Sequence, residues 1–96
     1  MDAPVPIFKP EPAYTKKALK HKCAGGVLLW AVIDKEGNVS AADIHTSLLP
    51  PCDSLNDQAK AAVLTWKFVP AKRNGSAVPV RVLVRVAFRL LEGKSS

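Results

Sequence analysis

The sequence predicts a two-layer α+β domain: a three-stranded, mainly antiparallel sheet with two helices on one face, in the order α-β-β-α-β. Residues 78–89 alternate between apolar even positions and odd positions that include three arginines, the period of a strand with one buried face. Two apolar runs flank a Gly-Asn turn, which predicts a hairpin, and an amphipathic segment separates that hairpin from the last strand. A helix there would cross over and bring the last strand into the same sheet.

The N-terminal part predicts an extended arm followed by a short basic helix. Residues 1–12 hold four of the eight prolines, which favours an extended arm or linker. Residues 13–22 lack Pro and Gly and place Tyr14, Ala18 and His21 on one face, with lysines on the other. Gly25 and Gly26 are expected to close this helix. We expect the domain to span residues 13–91 and a flexible tail to span 92–96.

The middle of the chain predicts the hairpin and the second helix. Residues 27–34 and 39–47 are expected to be strands, with a turn at 35–38 in which Gly37 can adopt a left-handed conformation. Residues 48–53 form a loop, and a helix starts at about residue 54, with Asp53 or Ser54 as its N-cap. The buried stripe of that helix is predicted to comprise Leu55, Ala59, Ala62, Val63 and Trp66.

Strand alternation divides the predicted sheet into two faces. The inward residues are Val27, Leu29, Ala31, Ile33, Ile44 and the even-numbered positions from 78 to 88. The outward residues are Leu28, Trp30, Val32 and Leu83, an apolar surface that a monomer usually does not expose. We expect the arm, through Ile7 and Phe8, or a second copy of the chain to cover it. Trp66 and Phe68 are assigned to the core, whereas Trp30 is an outer-face contact residue with Arg81 or Arg85 stacked on it.

The net charge of +6 favours either solvated surface charge or an anionic partner such as a membrane surface or a cell-wall polymer. Lys16, Lys17 and Lys20 of the first helix would carry the latter function. No recognition helix, zinc spacing or RNP-type aromatic pattern accompanies the charge, so nucleic acid is not predicted as a partner. The longest apolar run, residues 24–33, is too short for a transmembrane helix, and no signal peptide is visible. An export or anchoring segment is therefore expected in a longer parent chain.

The two cysteines predict a disulfide. Cys23 precedes the first hairpin strand and Cys52 follows the second, so both lie at the same end of the hairpin. Two separate buried thiols are the alternative, and a zinc site with His21 and His45 is a weaker one, because no pair of ligands comes from a tight local turn. A Cys–His catalytic pair would lack a residue that orients the base. The sequence therefore predicts no enzyme, no cofactor and no metal.

The last strand, expected over residues 78–90, is the candidate binding element. A long strand near the chain end is a candidate sheet edge, and Pro79 is compatible with an edge position. Unpaired backbone groups on such an edge can bind an extended peptide by strand addition. The predicted peptide-binding residues are Val80, Arg81, Val82, Leu83, Val84, Arg85 and Val86.

Several of these motifs, taken in order, resemble the C-terminal domain of the TonB family over about residues 10–90. They are Pro12-Ala13-Tyr14 before a basic helix, the Asp-x-x-Gly turn at 34–37, Trp66-Lys67-Phe68-Val69-Pro70, and Val78-Pro79-Val80 with Phe88 near the close. The chain departs from the family pattern at Thr15, where members often have Pro, and in its cysteine pair.

The resemblance implies a periplasmic domain whose parent chain has an inner-membrane anchor and a Pro-rich spacer. Such a domain binds a short extended segment of outer-membrane receptors, the TonB box, and transmits force derived from the proton-motive force for nutrient uptake. Inner-membrane proton-channel proteins would be partners through the anchor, and a homodimer is a further expected assembly. The alternative is a TonB- or TolA-like envelope scaffold, or a binding module fused to a sensor, without energy transduction.

Overall fold

The computed structural model describes residues 3–89 and contains two helices and seven strands within them. In chain order these are β1 (Val5–Phe8), α1 (Lys16–Lys20), β2 (Gly25–Ile33), β3 (Val39–Thr46), α2 (Ser54–Val63), β4 (Lys67–Val69), β5 (Ala71–Arg73), β6 (Ser76–Val78) and β7 (Val80–Phe88). The predicted α+β architecture is confirmed, and the order α1-β2-β3-α2-β7 is its framework.

The main sheet has three antiparallel strands in the order β3-β2-β7. The central strand β2 pairs with β7 along its whole length, from Gly25 opposite Phe88 to Ile33 opposite Val80. The pairing of β2 with β3 contains two register shifts, one at each end. β2 and β7 therefore form one continuous ladder, and β3 is the irregular edge.

One face of this sheet forms the core together with the helices. Val27, Leu29, Ala31 and Ile33 are fully buried, as the alternation predicts. From α2 the residues Leu55, Ala59 and Val63 are buried, and α1 contributes Ala18. Burying a side chain of the size of Leu29 or Leu55 stabilises the fold by about 1.5–3 kcal/mol relative to leaving it exposed. The apolar face of β2 and the stripe of α2 therefore carry much of the stability.

The hairpin turn between β2 and β3 has the predicted glycine conformation. Gly37 has φ +88°, and a side chain at this position would collide with the carbonyl oxygen of Phe68. The Asp34 carboxylate accepts hydrogen bonds from the backbone N–H groups of Glu36 and Asn38, both at 2.9 Å. The Gly37 carbonyl in turn accepts from the backbone N–H of Phe68 at 2.8 Å, which connects the turn to β4.

Ile44 points to the inward face, as the sequence predicts, but it is not buried in the core. It pairs with the buried Leu29, and directly opposed residues of an antiparallel ladder share one face of the sheet. Its side chain is nevertheless 37% exposed, and no residue of β3 after Ala42 is buried. Because β3 is an edge strand of the main sheet, Ile44 lies at the border of the core.

The first helix is shorter than predicted. It covers five residues, because Thr15 acts as its N-cap and accepts a hydrogen bond from the backbone N–H of Ala18 at 3.0 Å. It ends before His21, which is exposed, and it is followed by Lys22 with a positive φ of 52°, so it closes before Gly25 and Gly26. Tyr14 still faces the core from outside the helix, with its ring edge-on to Phe88 at 5.6 Å.

The predicted strand over 78–90 is divided at Pro79. Val78 ends β6, which forms a hairpin with β5, and β7 begins at Val80. The end of the predicted strand at Leu90 and the tail at 92–96 lie outside the described residues. Neither helix in the described part of the chain is long and apolar enough to cross a membrane.

The N-terminal arm does not cover the outer face of the sheet. Its strand β1 pairs antiparallel with β4, with Val5 opposite Val69 and Phe8 opposite Lys67. Ile7 and Phe8 remain 67% and 54% exposed. The expectation that the arm covers this face was wrong, because the backbone of the arm pairs with β4. The alternative cover, a second copy of the chain, stays a prediction.

Candidate functional site

The candidate site begins with the outer edge of β7. β2 occupies one side of β7, and within residues 3–89 no strand pairs with the other side. In an antiparallel ladder alternate residues direct their backbone N–H and C=O away from the partner, so about four residues of β7 offer unpaired groups at this edge. Arg81, Leu83 and Arg85 are exposed, whereas Val82 and Val84 are half-buried. The edge is therefore accessible over the first two thirds of the strand.

The outer face beside this edge carries an aromatic and cationic cluster. The Arg81 guanidinium lies over the Trp30 ring, 4.3 Å from its centroid, and the His45 ring meets Trp30 edge-on at 6.0 Å. Arg85 lies across Gly26 so closely that a Cβ there would be 2.7 Å from its Nε. The sequence predicts Arg81 or Arg85 as the cation stacked on Trp30, and in the structure it is Arg81. Its planar cation covers part of the apolar face that the arm leaves open.

A groove runs between the edge of β7 and the N-terminal arm. It contains three cavities of about 290, 200 and 250 Å³. Ala3 and Pro4 lie opposite Val82 to Arg85 in the first cavity, and Glu11 and Pro12 lie opposite residues 85–89 in the next two. The arm therefore follows β7 in the same chain direction with a gap between them.

Trp66 and Phe68 form the floor of this groove at its cavity of about 290 Å³. Both are buried, at 4% and 5% exposure, as the sequence predicts, and their rings lie 6.4 Å apart. The Trp66 indole Nε1 donates a hydrogen bond to the carbonyl oxygen of Pro10 at 3.1 Å. The Lys9 ammonium lies 5.3 Å from the centroid of the same ring. One side chain thus belongs to the core, forms the groove floor and holds the arm.

The other end of the domain is held by covalent and polar links. Cys23 and Cys52 form a disulfide, as predicted, with a Cα–Cα distance of 5.6 Å. The Tyr14 hydroxyl donates to the carbonyl of Cys23 at 2.7 Å, and burial raises the pKa of this phenol. The hydroxyls of Thr15 and Ser54 are hydrogen-bonded at 2.8 Å, which connects the starts of the two helices. These links set the position of the helix layer against the sheet.

The cysteine pair has a structural role. Both sulfurs are in the disulfide, so neither is available as a thiolate nucleophile or zinc ligand. In the part of the chain that the structure describes, no group of three or more His, Cys, Asp or Glu side chains could hold a metal ion. What the fold presents instead is an open strand edge beside a groove with an aromatic floor.

The family model for the Gram-negative bacterial TonB protein C-terminal matches residues 10–90. The chain belongs to the TonB C-terminal family. The TonB C-terminal domain is a periplasmic protein-interaction domain of Gram-negative bacteria. The predicted resemblance is thereby confirmed, although Thr15 and the cysteine pair depart from the pattern expected of the family.

The fold is also that of a solved TonB domain. The solution NMR structure of the Pseudomonas aeruginosa TonB CTD is 19% identical, with a TM-score of 0.69, over 98% of this chain and 93% of that chain. At this identity the likeness supports the fold alone. No curated protein sequence matches the chain with significance.

The position of the arm beside β7 in this TonB C-terminal domain was not predicted from sequence. Residues 80–86 lie on the free edge as expected, and Trp30 lies on the outer face. Pro10 and Lys9, however, fall in the predicted arm or linker, and they meet Trp66 across 56 and 57 residues of sequence. The only local signal was the pair of aromatics in Trp66-Lys67-Phe68, which marks a core position and not its partner.

Proposed function

We propose that this domain binds an extended segment of an outer-membrane receptor, the TonB box, by adding it as a fourth strand to the free edge of β7. The parent chain would transmit force derived from the proton-motive force to that receptor for nutrient uptake, together with inner-membrane partners reached through its anchor. The observation that carries the proposal is the unpaired edge of β7, which runs parallel to an open groove. Family membership supports the class of partner.

Backbone groups of residues 80–86 would set the register of the bound segment. Each hydrogen bond contributes about 0.5–1.5 kcal/mol net, and about four residues of β7 can take part. Arg81, Leu83 and Arg85 would contact alternate side chains of the segment from the outer face, with Trp30 beside them. An interface this short is expected to have a dissociation constant in the micromolar range or above. Weak binding suits a partner that must be released.

The test is an amide NMR titration with synthetic peptides that carry the TonB box of receptors from the same organism. Shifts should concentrate on residues 80–88. Two matched peptides sharpen the result, because strand addition uses backbone N–H groups of one parity only. N-methylation at the parity that faces β7 should abolish binding, whereas N-methylation at the other parity should be tolerated.

Two results would contradict this function. Equal sensitivity to N-methylation at both parities would exclude a ladder with β7. Shifts confined to residues 16–22 would instead favour an anionic ligand on the basic helix, where Lys16, Lys17 and Lys20 are exposed. That ligand would lose affinity steeply as salt concentration rises.

A further inference from the structure

We infer that the N-terminal arm, residues 3–12, is the second wall of the peptide groove, and that Trp66 is the positioning residue that holds it there. A segment that adds to β7 would then be enclosed between the strand edge and the arm. This inference rests on the proposed function, since it names how the same edge selects and holds its extended partner.

The path of the arm is the first observation. Ala3 and Pro4 lie across the first cavity from Val82 and Val84, and Pro12 lies across the last from Arg89. The two walls therefore run side by side from Val82 to Phe88, about seven residues of β7, or about 23 Å at ~3.3 Å per residue. A strand added to β7 would lie about 4.8 Å from it, inside this groove, and its other edge would face the arm.

The way the arm is attached is the second observation. Its backbone pairs with β4 and not with β7, so the groove stays open while the arm stays in place. Beyond this short ladder, the hydrogen bond from Trp66 to the Pro10 carbonyl and the Lys9 cation over the indole ring hold it. These two contacts hold the arm at the boundary between the cavities of about 290 and 200 Å³, because Lys9 and Trp66 line both of them.

The apolar lining of the groove is the third observation. From the arm, Pro4 and Pro6 line the first cavity, together with the half-buried Val82 and Val84 of β7. The aromatic floor completes this apolar lining. An extended segment with apolar side chains would cover this surface on both sides of its own backbone. We therefore commit to the receptor segment as the occupant, and not to a second copy of this chain.

The experiment uses the full chain and the TonB-box peptides of the titration above. Trp66→Phe keeps an aromatic floor but removes the N–H donor to Pro10, and Lys9→Gln removes the cation without touching the core. Lys72→Gln is the matched control, because it makes the same charge change on the exposed β5–β6 hairpin. We expect Trp66→Phe to raise the dissociation constant about threefold to tenfold and Lys9→Gln about twofold to fivefold relative to that control.

The same titration also shows whether the arm contacts the bound peptide. In the unmodified chain the amides of Val5, Ile7 and Phe8 should shift together with those of β7 as the peptide is added. The amide spectrum of β2 serves as the folding check for Trp66→Phe, and Lys9→Gln decides the question if that variant is unfolded.

The outcomes separate the two proposals. One outcome is that β7 amides shift while the arm amides do not, and that both variants bind the peptide as Lys72→Gln does. This outcome would refute the inference that the arm is the second wall of the groove, but it would still support strand addition to β7. Tighter binding by the variants would show that the arm competes for the groove, which also overturns the inference. No shift of β7 in the unmodified chain would refute the proposed function, and the wall with it.

Discussion

Replacing Cys23 and Cys52 together with alanine should be among the most destabilising pairs of changes in this domain. The disulfide joins residues 29 apart in sequence, and in the chain-entropy model opening a loop of that length costs about 3.5 kcal/mol at 25 °C. A domain of this size has a free energy of unfolding of about 5–15 kcal/mol in total. The loss is thus a quarter or more of the stability, and the melting temperature should fall by about 15–25 °C.

Equilibrium urea unfolding of the two proteins measures this effect. The cost arises in the unfolded chain, which the bond keeps compact, so the denaturant slope m should also rise in the variant. Reductant should lower the stability of the unmodified protein towards that of the variant and leave the variant unchanged. A stability loss below about 1 kcal/mol, with the slope m unchanged, would refute the view that the disulfide acts by restricting the unfolded state.

Three further changes test other links in the fold. Gly37→Ala should lower the free energy of unfolding in urea by about 2 kcal/mol or more, because φ is positive and the new Cβ meets the Phe68 carbonyl. Gly75→Ala should lower it by only about 1 kcal/mol, because φ is positive there too but the new Cβ has open space around it. Thr15→Ala should cost about 1 kcal/mol and weaken the amide protection of α1, because it removes the helix cap and the bond to the second helix. Burial raises the pKa of Tyr14 above its usual value of about 10. The stabilisation that comes with this shift is therefore complete below a pH of about 10 and is lost as the pH rises through the folded-state pKa of Tyr14. Tyr14→Phe should lack that part of the alkaline decline in the free energy of unfolding.

Local patterns in the sequence predicted the elements that depend on local physics. The alternation over 78–89 predicted β7, because side chains of a strand alternate between faces whatever the rest of the chain does. Gly37 predicted the hairpin turn, and the positions of Cys23 and Cys52 on either side of that hairpin predicted their bond. Each of these follows from a few neighbouring residues or from one hairpin.

The errors and omissions arise from contacts between distant segments. The pairing of β1 with β4 joins segments about sixty residues apart, and neither is long enough to show a period. Ile44 points inward as the alternation of its strand predicts, but β3 is an edge strand of the main sheet, so the side chain stays 37% exposed. The groove could not be predicted, because it exists only where Trp66 brings the arm alongside β7.

The unbroken pairing of β2 with β7 has a mechanical consequence. All nine residues of β7 face a residue of β2 without a register shift, whereas β1 meets β4 through three residue pairs. A load applied along the axis of β7 would stretch every hydrogen bond of its ladder at once, in shear. A load that lifts the arm sideways would open its ladder one bond at a time, as in peeling. The molecule is therefore expected to be stiff in the direction along its longest strand and compliant at its N-terminal end.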